Sequence, residues 1–318
     1  MKSQSVTAPS LTKKRYTFFT DVRRNRFSYL LILPALLYVL VFSYLSYPYM
    51  IIAFKNFNYK LGVFGSEWCG FKNFEFFLKS TNAPTVIRNT LVLNILFIVT
   101  GTLTSLVLAI LLNELRSRVF VRTAQTMMLF PHYISWVVVS YILLAIFSNK
   151  NGLANQLLNA LGMKSVSWYT KADAWPTILV WMKIWKSAGM NAVIYLAAIT
   201  GIDESIYESA TIDGANRFQR IVSITVPLIM PTVCIMTLLA VGKIMNGDFG
   251  MIYALVGDQG ILYETTDVID TYVYRVLRQT GDPSQSMAIG LFQSLIGLVM
   301  VVGSNWIVKH TFHEGALF

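Results

Sequence analysis

Six apolar runs, each long enough to cross a lipid bilayer, divide this chain and leave it few folds to choose from. A hydrocarbon core about 30 Å thick takes roughly 20 residues of helix, and runs of that length cover approximately 29–54, 87–112, 124–147, 177–200, 228–246 and 287–309. Lipid offers no water to an open backbone, and these runs are too long and too little alternating for barrel strands. The reading is an all-α integral membrane protein with six transmembrane helices. Composition agrees: of 318 residues, 55% are hydrophobic and 13% charged, with a mean hydropathy of +0.54, outside the range of soluble domains.

The first run is too long for a signal-peptide core, and no small-x-small cleavage site follows it, so it reads as an anchor. Before it lie Lys2, Lys13, Lys14, Arg15, Arg23, Arg24 and Arg26, which by the positive-inside rule put the N-terminus in the cytoplasm. Residues 1–28 then form a cytoplasmic arm, 29–308 the transmembrane domain and 309–318 a cytoplasmic tail, in a multi-pass protein of the cell membrane. The loops with Arg116, Arg118 and Arg122, and with Arg217 and Arg220, fall inside with Lys309. Segments 55–86, 148–176 and 247–286 fall outside. The outer segments also hold Lys55, Lys60, Lys72, Lys79, Lys150, Lys164, Lys171, Arg275 and Arg278, so orientation rests on the first-span charges and the even span count. The formal charge of +10 sits mostly beside spans, which points to anionic lipid headgroups rather than nucleic acid. Cys69 and Cys234 are separated by the topology and form no disulfide framework.

Between the fourth and fifth spans lies one polar stretch, Glu208-Ser209-Ala210-Thr211-Ile212-Asp213-Gly214-Ala215-Asn216-Arg217-Phe218, followed by Val226-Pro227. Residues 203–226 read as two short helices with a turn. Asp203 or Ser205 can cap the first, and Ser205 with Glu208 fits a capping box. Gly214 is placed for a left-handed stop, Asn216 caps the second helix, and Pro227 falls in the first turn of the fifth span. Singly, these residues make a cap and a turn; as one string they make a helix-turn-helix knob suited to a partner. The string resembles the EAA coupling loop of ABC importer permeases, departing from it at Ser209 and Val226. The resemblance implies a type I ABC importer fold in which Glu208, Ala210, Asp213, Gly214, Ala215, Arg217 and Pro227 couple the spans to an ATPase. Weaker likeness runs from about residue 29 to 308.

The outer segments carry the sugar-transporting branch of that resemblance. Gly70-Phe71-Lys72-Asn73-Phe74 leads an amphipathic helix through Leu78, and Asn89-Thr90 opens the second span. Leu153, Leu157, Leu158 and Leu161 share a face of a surface helix that ends on Gly162. Val268 to Leu277 reads as a further short helix stopped by Gly281-Asp282-Pro283.

Ionisable groups inside spans are functional candidates because burying them is costly. Lys183 and Lys186 stand one turn apart on the fourth span beside Trp181 and Trp185, with Asn191 and Tyr195 deeper. Amine donors suit hydroxyls, and indole faces suit the apolar faces of sugar rings, so Lys183, Trp185, Lys186, Asn191 and Tyr195 are candidates for a substrate path. The same lysines suit two other arrangements: snorkelling to outer headgroups, and pairing with Asp248 in the polar cluster Lys243, Asn246 and Asp248. Gly242-Lys243 lacks the rest of a phosphate loop, and His132, His310 and His313 lack metal-site spacing, so catalytic, cofactor and metal residues are not expected.

The resemblance implies a permease subunit of a binding-protein-dependent, ATP-driven importer that moves oligosaccharides by alternating access. The implied partners are a second permease in a heterodimer, two copies of a cytoplasmic ATPase that uses ATP and Mg, an extracytoplasmic binding protein and a sugar. An ABC permease for peptides or amino acids, and a stand-alone secondary transporter, are the alternatives.

Overall fold

The computed structural model describes residues 18–149 and 151–311. The expectations for Lys2, Lys13, Lys14, Arg15, Lys150 and His313 lie outside the described residues. The chain divides into two units, one ending at Ile51 and the other starting at Ile52.

The first unit holds a short helix, Phe18–Arg24, and α1, Arg26–Phe42. Asp21 ties them, accepting from Asn25 Nδ2 at 2.8 Å and Tyr29 Oη at 2.9 Å. Beyond α1 the chain tightens into 3₁₀ turns, Tyr44–Phe54, around Pro48. A helix apolar on every face, with none of its residues buried, is suited to lipid.

In the second unit the helices are α2 (Ala83–Glu114), α3 (Arg118–Tyr133), α4 (Trp136–Phe147), α5 (Trp175–Thr200), α6 (Glu204–Ile212), α7 (Arg217–Val241), α8 (Phe249–Val256), α9 (Ile269–Thr280) and α10 (Pro283–Thr311). Short helices Lys72–Leu78 and Leu153–Ala160 stand where the amphipathic patterns put them. A two-residue antiparallel pair, Lys55–Asn56 with Glu67–Trp68, is an addition to the all-helical expectation. Proline in the first turn starts α2 and α5, where a missing N–H costs nothing.

Among the described residues, four helices are long and apolar enough to cross a membrane: Arg26–Phe54, α2, α7 and α10. The third expected span is not one rod. α3 and α4 meet at 97°, because Pro131 sits in the last turn of α3 and Ser135 starts α4 afresh, its hydroxyl accepting from Val138 N–H at 3.3 Å. α5 is 26 residues long but, with Lys183 and Lys186, is not among the four. The fifth expected span, 228–246, is displaced: its helix begins at Arg217 and ends at Val241, leaving 242–248 non-helical. Pro283 stops nothing; Gly281, at φ +65°, ends α9 and Pro283 opens α10.

Three apolar clusters hold the second unit. Leu93, Val139, Trp175, Leu179 and Ile252 join α2, α4, α5 and α8. Phe77, Val86, Ile269 and Ile289 join the Lys72–Leu78 helix to α2, α9 and α10. Ala109, Ala192 and Ile229 join α2, α5 and α7. Small residues permit close approach, as usual between helices in lipid: a Cβ on Gly189 would lie 2.1 Å from the carbonyl oxygen of Met128 on α3.

Candidate functional site: a polar cavity and a knob

α2, α5 and α7 leave a cavity of about 470 Å³ between them, lined on its polar side by Asn94, Thr102, Lys183, Asn191, Tyr195, Lys243, Asn246 and Asp248. Of the residues expected on a substrate path, Lys183, Asn191 and Tyr195 meet here. Lys183 Nζ lies 2.7 Å from Asp248 Oδ2, so the pairing weighed in the sequence is the arrangement adopted, and Lys183 also sits 5.9 Å from the Phe97 ring centroid. Asp248 Oδ1 caps α8 through Met251 N–H at 3.1 Å.

Trp185 and Lys186 do not line the cavity. Lys186, 9% exposed, donates to the carbonyls of Pro131 and His132 at 3.2 and 2.8 Å and to that of Ile134. Its ammonium also lies 5.2 Å from the Trp136 ring centroid. The bend between α3 and α4 interrupts the helical ladder at these carbonyls, that of Pro131 keeping Ile134 N–H at 3.2 Å, and a cation at a helix C-terminus serves both the lone pairs and the dipole. In the described geometry Lys186 is a staple for the broken span.

One wall of the cavity is the non-helical segment from Gly242 to Asp248. Backbone without helical bonds needs partners at membrane depth, and three helices supply them. Asn94 Nδ2 on α2 donates to the carbonyls of Ile244 and Asn246 at 2.9 and 3.1 Å. Gln293 Nε2 on α10 donates to that of Met245 at 3.0 Å. Asp270 Oδ2 on α9 accepts from Gly247 N–H at 2.5 Å and from Gln293 at 3.2 Å. Sequence reasoning missed Asn94, Asp270 and Gln293; two lone amides inside apolar runs were the available signal. Gly247 is required there, since a Cβ would fall 2.4 Å from Val268 Cγ2.

At the other end of α7 stands the knob. Asp203, not Ser205, caps α6, its carboxylate accepting from Ser205 N–H at 3.0 Å; these bonds to Ser205 hold its carboxyl below the ordinary range. The Ser205–Glu208 capping box is therefore not used. The turn closes as a Schellman motif: Ala215 N–H donates to the Ala210 carbonyl at 2.9 Å, Gly214 N–H to that of Thr211 at 3.1 Å, and Gly214 sits at φ +83°. Asn216 and Gln219 form a reciprocal capping box at the start of α7. Glu208, Asp213, Gly214, Arg217 and Pro227 are exposed, as are Ile212 (87%) and Phe218 (73%).

Pro227 does not start a new span. It has no N–H for the carbonyl four residues back and crowds it, and the helix widens into a π turn, Ile221–Thr225, where Val226 N–H reaches back to the Ile221 carbonyl. Two bonds tie α6 across to this stretch: Tyr207 Oη with Thr225 Oγ1 at 2.9 Å, and Arg220 Nη1 donating to Thr211 Oγ1 at 2.8 Å. Among the described residues, no group of three or more His, Cys, Asp or Glu side chains is placed to hold a metal.

A membrane chain with a capped, outward-facing knob on one end of a helix and a polar cavity beside the other is the transmembrane part of a transport machine. The chain belongs to the family described as binding-protein-dependent transport system inner membrane component, whose model matches residues 101–312. It is 36% identical over 309 residues to protein LplB of Bacillus subtilis (strain 168), covering 97% of this chain and 96% of that one. It is 32% identical over 324 residues to the polygalacturonan/rhamnogalacturonan transport system permease protein YteP of the same strain, covering 99% of each. In structure it is similar to a chain of a bacterial ABC transporter involved in the import of the acidic polysaccharide alginate. There the TM-score is 0.85 at 32% identity, covering 92% of this chain and 99% of that one.

Proposed function

We propose that this chain is a permease subunit of an ATP-driven importer of oligosaccharides. The observation that carries the reading is α7: one helix joins the knob, at its Arg217 end, to the cavity wall, where Met236, Leu239 and Ala240 line the space. Relatives of nearly full length that are named for saccharide transport support sugars over peptides or amino acids. The proposed machine has this chain paired with a second permease, two cytoplasmic ATPase chains using ATP and Mg, and an extracytoplasmic protein that delivers the sugar. This chain binds no cofactor of its own. All six apolar runs lie in the membrane, the broken third and the lysine-bearing fourth included, with both termini and the knob in the cytoplasm.

The coupling assignment covers Glu208, Ala210, Asp213, Gly214, Ala215, Arg217 and Pro227. ATPase closure draws the knob inward, α7 carries the displacement to the cavity, and the spans alternate between inward-open and outward-open. The test is ATPase stimulation in proteoliposomes holding both permeases, the ATPase and the binding protein. Sugar-loaded binding protein is expected to stimulate the native assembly, and Glu208→Ala and Gly214→Pro to abolish that response while the assembly remains folded. Variants that retain both ATPase association and stimulation would overturn the assignment.

A further inference from the structure

The cavity has two cations and one anion on its wall. Lys183 is matched by Asp248 at 2.7 Å. Lys243, an exposed residue at the head of the non-helical segment, forms no salt bridge or side-chain hydrogen bond among the described residues. Its ammonium is thus available to a charge carried by whatever occupies the cavity. The segment that carries it is not loose: Asn94, Gln293 and Asp270 fix the backbone at Ile244, Met245, Asn246 and Gly247. Three helices thus hold in place a turn that presents one free cation and the amide of Asn246 to the cavity, with the amides of Asn94 and Asn191 facing the same space.

We propose that Lys243 is the carboxylate-binding residue of this cavity, and that the saccharide it takes is acidic, a uronate oligomer. The proposal rests on the saccharide-import reading above and narrows it. Amides, hydroxyls and ammonium groups all serve a sugar's hydroxyls; a lone ammonium beside an already neutralised pair adds most for an occupant that brings a negative charge, because a charge-assisted bond to a carboxylate is roughly twice as strong as a neutral one. Lys183 cannot serve in the same way without giving up Asp248, which also caps α8.

The experiment is uptake by the assembled transporter in proteoliposomes, using tetragalacturonate and tetramannuronate and the fully methyl-esterified form of each, which keeps the ring stereochemistry and removes the charge. Lys243→Gln and Lys243→Arg are compared with the native chain at limiting substrate. Loss of one charge-assisted contact predicts a fall of roughly ten- to a hundred-fold in uptake of the acid by Lys243→Gln. Uptake of the ester is expected to stay unchanged, and Lys243→Arg to restore the acid. Because Lys243 holds no other group in place, the Gln variant is expected to melt with the native assembly. Equal loss for acid and ester, a lowered melting temperature, or native preference for the ester would each overturn the assignment to Lys243 while leaving saccharide import standing. A native assembly that takes up none of the four, though loaded binding protein stimulates its ATPase, would overturn this inference and leave import of another saccharide standing; one whose ATPase no saccharide-loaded binding protein stimulates would remove the import reading as well.

Discussion

Lys186 gives the sharpest separation between a structural and a transport role. Its ammonium serves three carbonyls, of which that of Pro131 also accepts from Ile134 N–H at 3.2 Å. Lys186→Met keeps the length and apolar stem of the side chain, so the packing survives and only the donors go. The His132 and Ile134 carbonyls then lose this partner at a buried site, at about 1–3 kcal/mol each. Against that stands the relief of no longer burying a charge, an opposing term of several kcal/mol that the carbonyl bonds and the Trp136 ring already offset in the native state. A net loss of about 3 kcal/mol is expected, which for a chain of this size is on the order of 6 °C in melting temperature. The assay is thermal unfolding of the purified chain in detergent, with Lys186→Arg alongside to return donors to the bend. A Met variant that melts with the native protein would refute the staple. If that variant also failed to take up sugar, Lys186 would belong on the substrate path after all.

Two further substitutions test other parts of the frame. Gly189→Ala places a methyl 2.1 Å from the Met128 carbonyl oxygen, so α3 and α5 must part, at about 1–3 kcal/mol for overpacking; Gly303→Ala, whose methyl meets nothing within 4 Å, is the control, and equal melting temperatures for the two would contradict the close crossing. At the knob, Asp203 has its carboxyl lowered by bonding to Ser205, so the cap's contribution is complete above the ordinary carboxylate range, about pH 4, and is lost as pH falls through the lower folded value. The amide resonance of Ser205 is therefore expected to titrate in the acid range and to stop doing so in Asp203→Asn; a shift that stays flat in the native chain would remove the cap.

What the sequence displays and what it hides follow from how each feature is built. An apolar run of 20 residues advertises a helix in lipid whatever it packs against, and Gly214 or Asn216 acts on backbone one or two residues away, so the helices and the turn of the knob are legible. The break in the third run is harder, because Pro131 and Ser135 lie in an otherwise continuous apolar stretch and either is tolerated inside a membrane helix when neighbours satisfy the freed groups. That satisfaction comes from Lys186, more than fifty positions along the chain. The segment 242–248 is hidden for the same reason. Lys243, Asn246 and Asp248 read as the polar end of a span, and nothing local to them reveals that Asn94, Asp270 and Gln293 replace the helical bonds.

On the coupling proposed above, the π turn is what keeps the knob on the same helix as the cavity wall. If Pro227 had begun a separate span, the knob would hang from a flexible joint and a push on Glu208 would be absorbed there. Instead α7 runs unbroken for 25 residues, about 37 Å at 1.5 Å per residue. Two prolines, Pro227 and Pro231, interrupt its ladder, and the π turn before the first is braced by Tyr207 against Thr225, which is 3% exposed. The second brace, Arg220 to Thr211, ties the knob's first helix to the same rod. At the opposite end the rod stops at Val241, and the chain passes directly into the segment pinned by α2, α9 and α10. On the proposed coupling, a displacement delivered to the knob travels along this rod to the turn that carries Lys243, and the residues that fix that turn are the ones it must work against.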